Sequence, residues 1–244
     1  MVYSEYALVE FHVLATDEAI RREYDPFAEW GGKGTRILTQ FAGIRDDKAL
    51  LRFVWYWGLL QEGGRDPLPW LHAHVRQVRL VLELAKRLQD GDNLRPVLDA
   101  HGYDGATLTL PMVGAEPYPR DILYRSVTST KRIKITAQQT FRGTPDEVTR
   151  QIIATAINSN LSGTGYRLDP DTLRPQLEVE DLRGALYVRL QDVVAGGQLV
   201  LCKDPNCQRV FVRRHKRQRF CPPTGEAKTS QCGDTYRKRK ERGG

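Results

Sequence analysis

The apolar and polar positions change rhythm several times along the 244 residues. YALVEFHVL, from Tyr6 to Leu14, mixes β-branched and aromatic residues in rough alternation and predicts a strand near the start. DDKALLRFVWYWGLL then sets Leu50, Phe53, Val54 and Trp57 at helical spacing, with Asp46 or Asp47 as the cap. Asp66-Pro67 opens a longer helix, and Asp90-Gly91 closes it. Its Leu71, Val75, Val78, Leu82, Ala85 and Leu88 share a stripe that must face a core.

Between Ala106 and Phe141 the rhythm shortens, and ATLTLPM, ILYRSV and KRIKITAQQTF read as strands joined through the proline-rich AEPYP. Thr144-Pro145-Asp146-Glu147 is a capping box: the Thr hydroxyl accepts an early amide hydrogen and Glu147 reaches back to the cap. A helix to about Asn158 follows from it. NSNLSGTGYRLDPDT reads as a loop. A last helix, about Glu178 to Val194, presents Leu182, Ala185, Leu186, Leu190 and Val193 on one face and stops at Gly196-Gly197. The expectation is an α+β chain of two domains. Residues 1–195 form a mostly helical domain with a small antiparallel sheet, and residues 198–244 form a small C-terminal module.

Composition changes this picture little: 40% hydrophobic and 27% charged residues are ordinary for a globular chain. No run of 18 or more apolar residues occurs, and the N-terminal stretch lacks the basic start and cleavage site of a signal peptide. A cytoplasmic protein without membrane contact is expected. Charge is more informative. From Cys202 onward 13 Lys and Arg face 4 Asp and Glu, a balance of +9, whereas the first 201 residues carry 24 against 26, a balance of −2. A basic appendage on a neutral domain suits a polyanion; a solubilising tail is the alternative that composition leaves open.

The same appendage holds all four cysteines, as Cys202-x4-Cys207, then 13 residues, then Cys221-x10-Cys232. Zn²⁺ takes four thiolates in a tetrahedron, two of them conveniently from one tight turn, and Asp204-Pro205-Asn206 supplies turn chemistry. Gly233 would let the backbone turn beneath the metal and aim amide hydrogens at sulfur. Two disulfides are the competing use of four cysteines, and a cytosolic chain disfavours them. His215, inside RRHKRQR, is an alternative ligand to one of the thiols. The flanking cations would ease deprotonation of the thiols.

The run Cys202-Lys203-Asp204-Pro205-Asn206-Cys207, the following Val210-Phe211-Val212, the basic RRHKRQRFC and the terminal Cys232-Gly233-Asp234 resemble the CGNR zinc finger. That module ends a group of bacterial proteins regarded as stress-induced transcription regulators, whose N-terminal part is the ABATE domain. The likeness covers about Leu199 to Arg242, with Asp234-Thr235 standing where the family motif has Asn-Arg. Over the first 195 residues it is general only. The resemblance implies a structural zinc ion on Cys202, Cys207, Cys221 and Cys232, sequence-directed DNA binding, and an N-terminal domain that senses a small-molecule effector or forms a homodimer.

The residues permit DNA binding on their own account. Arg209, Arg213, Arg214, Lys216, Arg217 and Arg219 crowd one loop, and Arg237, Lys238, Arg239 and Lys240 fall on a short basic helix. Such clusters neutralise phosphates and release counterions, and an arginine can also read guanine. RNA is the second candidate partner, since a basic finger grips RNA by shape and backbone as well. A protein-interaction scaffold is the third reading. No enzyme is expected: GxSxG and HExxH are absent, and GGKGT at Gly31 to Thr35 has the wrong order for a phosphate loop. His72 and His74 stand two apart, which on a helix sends them to different faces. FVWYWGLL is an aromatic patch that suits a core, with a small-molecule pocket as the alternative.

Overall fold

The computed structural model describes residues 6–9, 12–15, 36–60, 65–114, 137–161, 163–168, 175–179, 181–196, 199–207, 209–213, 217–222 and 229–242. The α+β class read from the sequence is what it shows: a mostly helical body with small antiparallel sheets, followed by a C-terminal cluster of four cysteines. The segments ILYRSV and KRIKIT, AEPYP and GGKGT lie outside the described residues.

The expected first strand is two, β1 (Tyr6–Val9) and β2 (His12–Ala15), paired antiparallel with Val9 opposite His12. Both halves of the segment alternate alike, and Glu10-Phe11 carries no turn residue to announce the reversal. β3 (Arg65–Pro67) adds to β2. A short helix absent from the sequence reading, α1 (Arg36–Ala42), precedes α2 (Asp47–Trp57). Asp46 caps α2 by accepting the Ala49 amide at 2.7 Å, and Leu50, Phe53, Val54 and Trp57 are buried as their spacing requires.

The long helix α3 (Leu68–Asp90) carries the central stripe, with Gly91 in the left-handed conformation at its end (φ 69°). Asp66 does not cap it. The carboxylate is fully buried and accepts the Leu60 amide at 2.6 Å, leaving Pro67 at the N-cap position. After the short α4 (Arg95–Ala100), β4 (Thr107–Met112) pairs with β5 (Ala137–Arg142), placing Leu108 opposite Phe141. Both side chains turn into the core.

The capping box forms as written: Glu147 N donates to Thr144 Oγ1 at 3.4 Å and Thr144 N to Glu147 Oε2 at 2.8 Å, opening α5 (Pro145–Asn158). The expected loop that follows instead contains β6 (Thr164–Leu168), which pairs with β7 (Pro175–Val179) beyond it, where the last helix was expected to begin. In consequence α6 starts later than the sequence suggested and runs Leu182–Gly196. Asp181 sets that start, its carboxylate accepting the Gly184 amide at 2.7 Å and its carbonyl that of Ala185. A Cβ at Gly184 would lie 2.8 Å from Val179 Cγ1 and 3.0 Å from Thr164 Cγ2, so the helix can approach the hairpin only with glycine there.

Helices α1, α2, α3, α5 and α6 bury one continuous core around Leu71, Val78, Leu82, Ile152 and Leu186. No helix among the described residues is long and apolar enough to cross a membrane. The core contains one polar chain. Gln77 bonds both backbone groups of Val113, at 2.9 and 2.8 Å, and donates to the Tyr187 hydroxyl at 3.0 Å. That hydroxyl also shares a hydrogen bond with His74 Nδ1 at 2.9 Å. Asn160 donates to the same Val113 carbonyl. These bonds tie α3, α5 and α6 to the end of β4.

Full burial, and then the nearby Arg183, pull His74 from 6.5 down to about 3. The folded chain therefore holds it neutral while the unfolded chain protonates it near pH 6.5, so stability is fully present above that pH and is lost as pH falls toward 3. The loss approaches ~1.4 kcal/mol per pH unit in that window. Denaturant unfolding between pH 7 and 5 should show that slope in the natural chain and a shallower one in His74→Phe; equal slopes would mean the imidazole is not buried neutral.

Candidate metal centre

β8 (Leu199–Leu201) and β9 (Val210–Val212) form a hairpin, with Leu199 opposite Val212 and Leu201 opposite Val210. Cys202 follows β8 directly, held by its amide on the Arg209 carbonyl at 2.8 Å. Asp204 then turns the chain: its carboxylate accepts the Asn206 amide at 3.2 Å and its carbonyl the Cys207 amide at 2.9 Å. This is the tight turn expected of Asp204-Pro205-Asn206. The Lys203 amide bonds the Arg219 carbonyl at 2.8 Å and brings the Cys221 segment alongside. Cys232 enters from the first turn of the final helix, α7 (Gln231–Arg242).

The four sulfurs all lie within 4.8 Å of one another, with Cys207 and Cys221 at 3.5 Å. A disulfide needs about 2.05 Å, and a tetrahedron of thiolates at 2.3 Å from a central ion has edges of about 3.8 Å. The cysteines are free thiols at the second spacing, so the cluster could hold a metal ion. Phe211 seals it from below, with Val200 and Phe220 at its margin.

One guanidinium serves the sulfurs. Arg209 Nε donates to Cys207 Sγ at 3.1 Å and Nη2 lies 3.9 Å from Cys232 Sγ. Burial pushes the Cys207 thiol up, but the hydrogen bonds from Arg209 outweigh it and bring the group down to about 7. Arg209 itself is held above its ordinary value, the sulfurs overcoming its own desolvation. Burial dominates at the other two shifted thiols and raises them, Cys232 to about 11.

The basic residues separate by direction. Arg213, Arg217 and Arg219 are exposed around the cluster, as are Arg237, Lys238, Arg239 and Lys240 on α7. Arg209 is not among them, being turned inward on sulfur. Arg239 Nη1 reaches the buried Asp204 at 2.8 Å and so bolts α7 to the Cys202–Cys207 turn, while Arg237 pairs with Asp234 on its own helix. Arg214, His215 and Lys216 lie outside the described residues. Gly233 does not aim its amide at sulfur: Ser230 takes that hydrogen at 3.2 Å as the helix begins. Phe220 stacks on Tyr236 at 5.3 Å and Lys203 lies over the same ring.

In the helical body, His72 meets Asp47 at the surface while His74 is internal, the separation their spacing implied. The aromatic patch divides likewise: Phe53 and Trp57 are core, and Trp55 and Tyr56 are partly exposed. Sequence reasoning passed over Arg45 and Arg79. They share a cleft with Arg209 although they stand far from it in the chain, so no local pattern could have grouped them.

No protein-family model, curated protein or solved structure matches this chain. Chemistry alone must carry the reading. One metal ion per intact chain is expected by elemental analysis, and Cys207→Ser should lose it. Arg209→Gln should keep all four ligands yet bind the metal about 10–100-fold more weakly, most clearly at pH 6 where protons compete for the thiols. Unchanged affinity in that variant would show that the guanidinium does not support the sulfurs.

Proposed function

We propose that the ion is zinc, that its role is structural, and that the module is a CGNR-like zinc finger through which the chain binds DNA as a transcription regulator at the nucleoid. The observation that carries this reading is a four-sulfur cluster whose own segments carry exposed cations: Arg213, Arg217 and Arg219 between Cys207 and Cys221, and Lys238 and Lys240 on α7. Four thiolates suit a borderline-soft, redox-inert ion that has no geometric demand beyond a tetrahedron, and they leave no open position for a reacting water.

The metal's part is to hold surfaces together. The Cys202–Cys207 turn, the Cys221 segment and α7 are short and share little apolar contact beyond Phe211, Phe220 and the sulfurs themselves. A common ion fixes their mutual position, and with it the spacing of the cations they carry. Phosphate contacts from such cations place a protein on nucleic acid, and an arginine that reaches a guanine edge adds sequence preference.

Five outward cations predict that log K for a DNA duplex falls against log salt with a slope of about −4.5. Lys238→Gln with Lys240→Gln should weaken every sequence alike and flatten the slope by about 2. Arg213→Gln or Arg217→Gln should relax one base position by about 1–3 kcal/mol if that side chain reads guanine. A slope near zero would refute nucleic-acid binding, and tighter retention on structured RNA at equal salt would transfer the reading to RNA.

A further inference from the structure

Where the finger meets the helical body, a cleft of about 350 Å³ opens between the end of α1, one face of α3 and the start of β9. Its floor is apolar, built from Ala42, Leu82 and Val210, and three guanidinium groups line it: Arg45, Arg79 and Arg209. Glu83 is the carboxylate on its wall, and it is paired along α3 with Arg87.

Like charges do not gather without cause, and only part of this charge is used by the protein. Arg79 donates through Nε to the Ala42 carbonyl at 2.7 Å and through Nη2 to that of Ile44, which closes the end of α1. Arg209 uses Nε and Nη2 on sulfur, and its Nη1 passes 3.8 Å from where a side chain on Gly43 would begin. Both guanidinium groups therefore keep N–H donors beyond those bonds, and Arg45 is exposed at the mouth. Half-burial, and then repulsion from Arg45 and Arg209, hold Arg79 below its ordinary value, the signature of cations packed closer than they would choose.

We propose that this cleft is a binding site for a small phosphorylated molecule, its phosphate held by Arg45, Arg79 and Arg209 and its apolar part laid on Ala42, Leu82 and Val210. Arginine forks match phosphate oxygens in pairs, and the apolar floor favours an organic phosphate over the bare ion. Such a ligand touches helical body and metal module at once. The proposal does not rest on the DNA reading, because the outward cations of the finger take no part in it.

The test titrates the intact, metal-loaded chain with phenyl phosphate and with inorganic phosphate, following heat and the amide shifts of Ala42 and Val210. Phenyl phosphate should bind saturably and several-fold tighter than inorganic phosphate. Arg45→Gln should weaken it at least tenfold and Arg45→Lys by less, while Arg150→Gln on α5 leaves it unchanged. Binding should persist in the Lys238→Gln, Lys240→Gln variant. Absence of saturation, or equal affinity in Arg45→Gln, overturns the proposal. So does a chain that ignores phenyl phosphate but loses duplex DNA on Arg45→Gln, since the cleft would then belong to a nucleic-acid phosphate.

Discussion

Four sulfurs gathered within 4.8 Å cannot all be anionic unless positive charge sits among them. That constraint orders the C-terminal fifth of the chain. A bound dication would still leave four thiolates at a formal −2, and the arginine that answers this charge from inside is Arg209. Its place follows from the hairpin: Arg209, two residues beyond the second ligand, lies beside the first, so its backbone carbonyl holds Cys202 while its side chain returns to Cys207. The tail's formal +9 counts the thiols as neutral. With a dication on four thiolates the module would carry +7, and less of that charge is free to move because Arg209 and Arg239 are tied down.

The metal module is not hung on the body by a thread. Along β9 the side chains alternate, as any strand requires, so Phe211 faces the sulfurs while Val212 enters the same core as Leu71 and Leu186. Leu199 across the hairpin does likewise. One three-residue strand therefore belongs to two cores, and whatever orders the sulfurs also fixes the orientation of Val212 against α3. This is a mechanical coupling that needs no moving part beyond a strand whose two faces have different tenants.

Much of this was legible beforehand, where the signal was local. The capping box at Thr144 to Glu147, the Asp46 cap, the stripe of α3 and the Cys202–Cys207 turn are each written within a few residues, and each formed as read. The losses have a common physical origin. TGYRL and PQLEV are separated by Asp169-Pro170-Asp171, whose turn signals masked a hairpin whose pairing is a matter of partner rather than propensity. Asp66-Pro67 does stand where α3 opens, but only the fold shows that the Asp66 carboxylate is a buried acceptor for the Leu60 amide. Composition likewise reports the sign of a charge but not its heading. In the sequence Arg209 is one of many cations beside the cysteines, and its inward turn becomes visible only when four sulfurs meet.

That inward turn also joins the two halves electrostatically. Arg209 lies on the wall shared by the thiol cluster and the three-arginine cleft, and a guanidinium has a single positive charge to distribute. An anion drawn to its cleft side stands near the sulfurs' own counter-charge, so the field each feels depends on the other. Linkage makes such an effect reciprocal: if an anion in the cleft changed the affinity of the sulfurs for a cation, the cation would change the affinity for the anion by the same factor. Arg79 extends the chain of dependence, since the donors that close α1 through Ala42 and Ile44 belong to the same crowded set. The end of a short helix and the thiol cluster are thus bonded by Arg79 and Arg209, which share their cleft with Arg45. Carbonyl oxygens on one side, sulfur on the other and the Glu83 carboxylate on the wall offset their mutual repulsion.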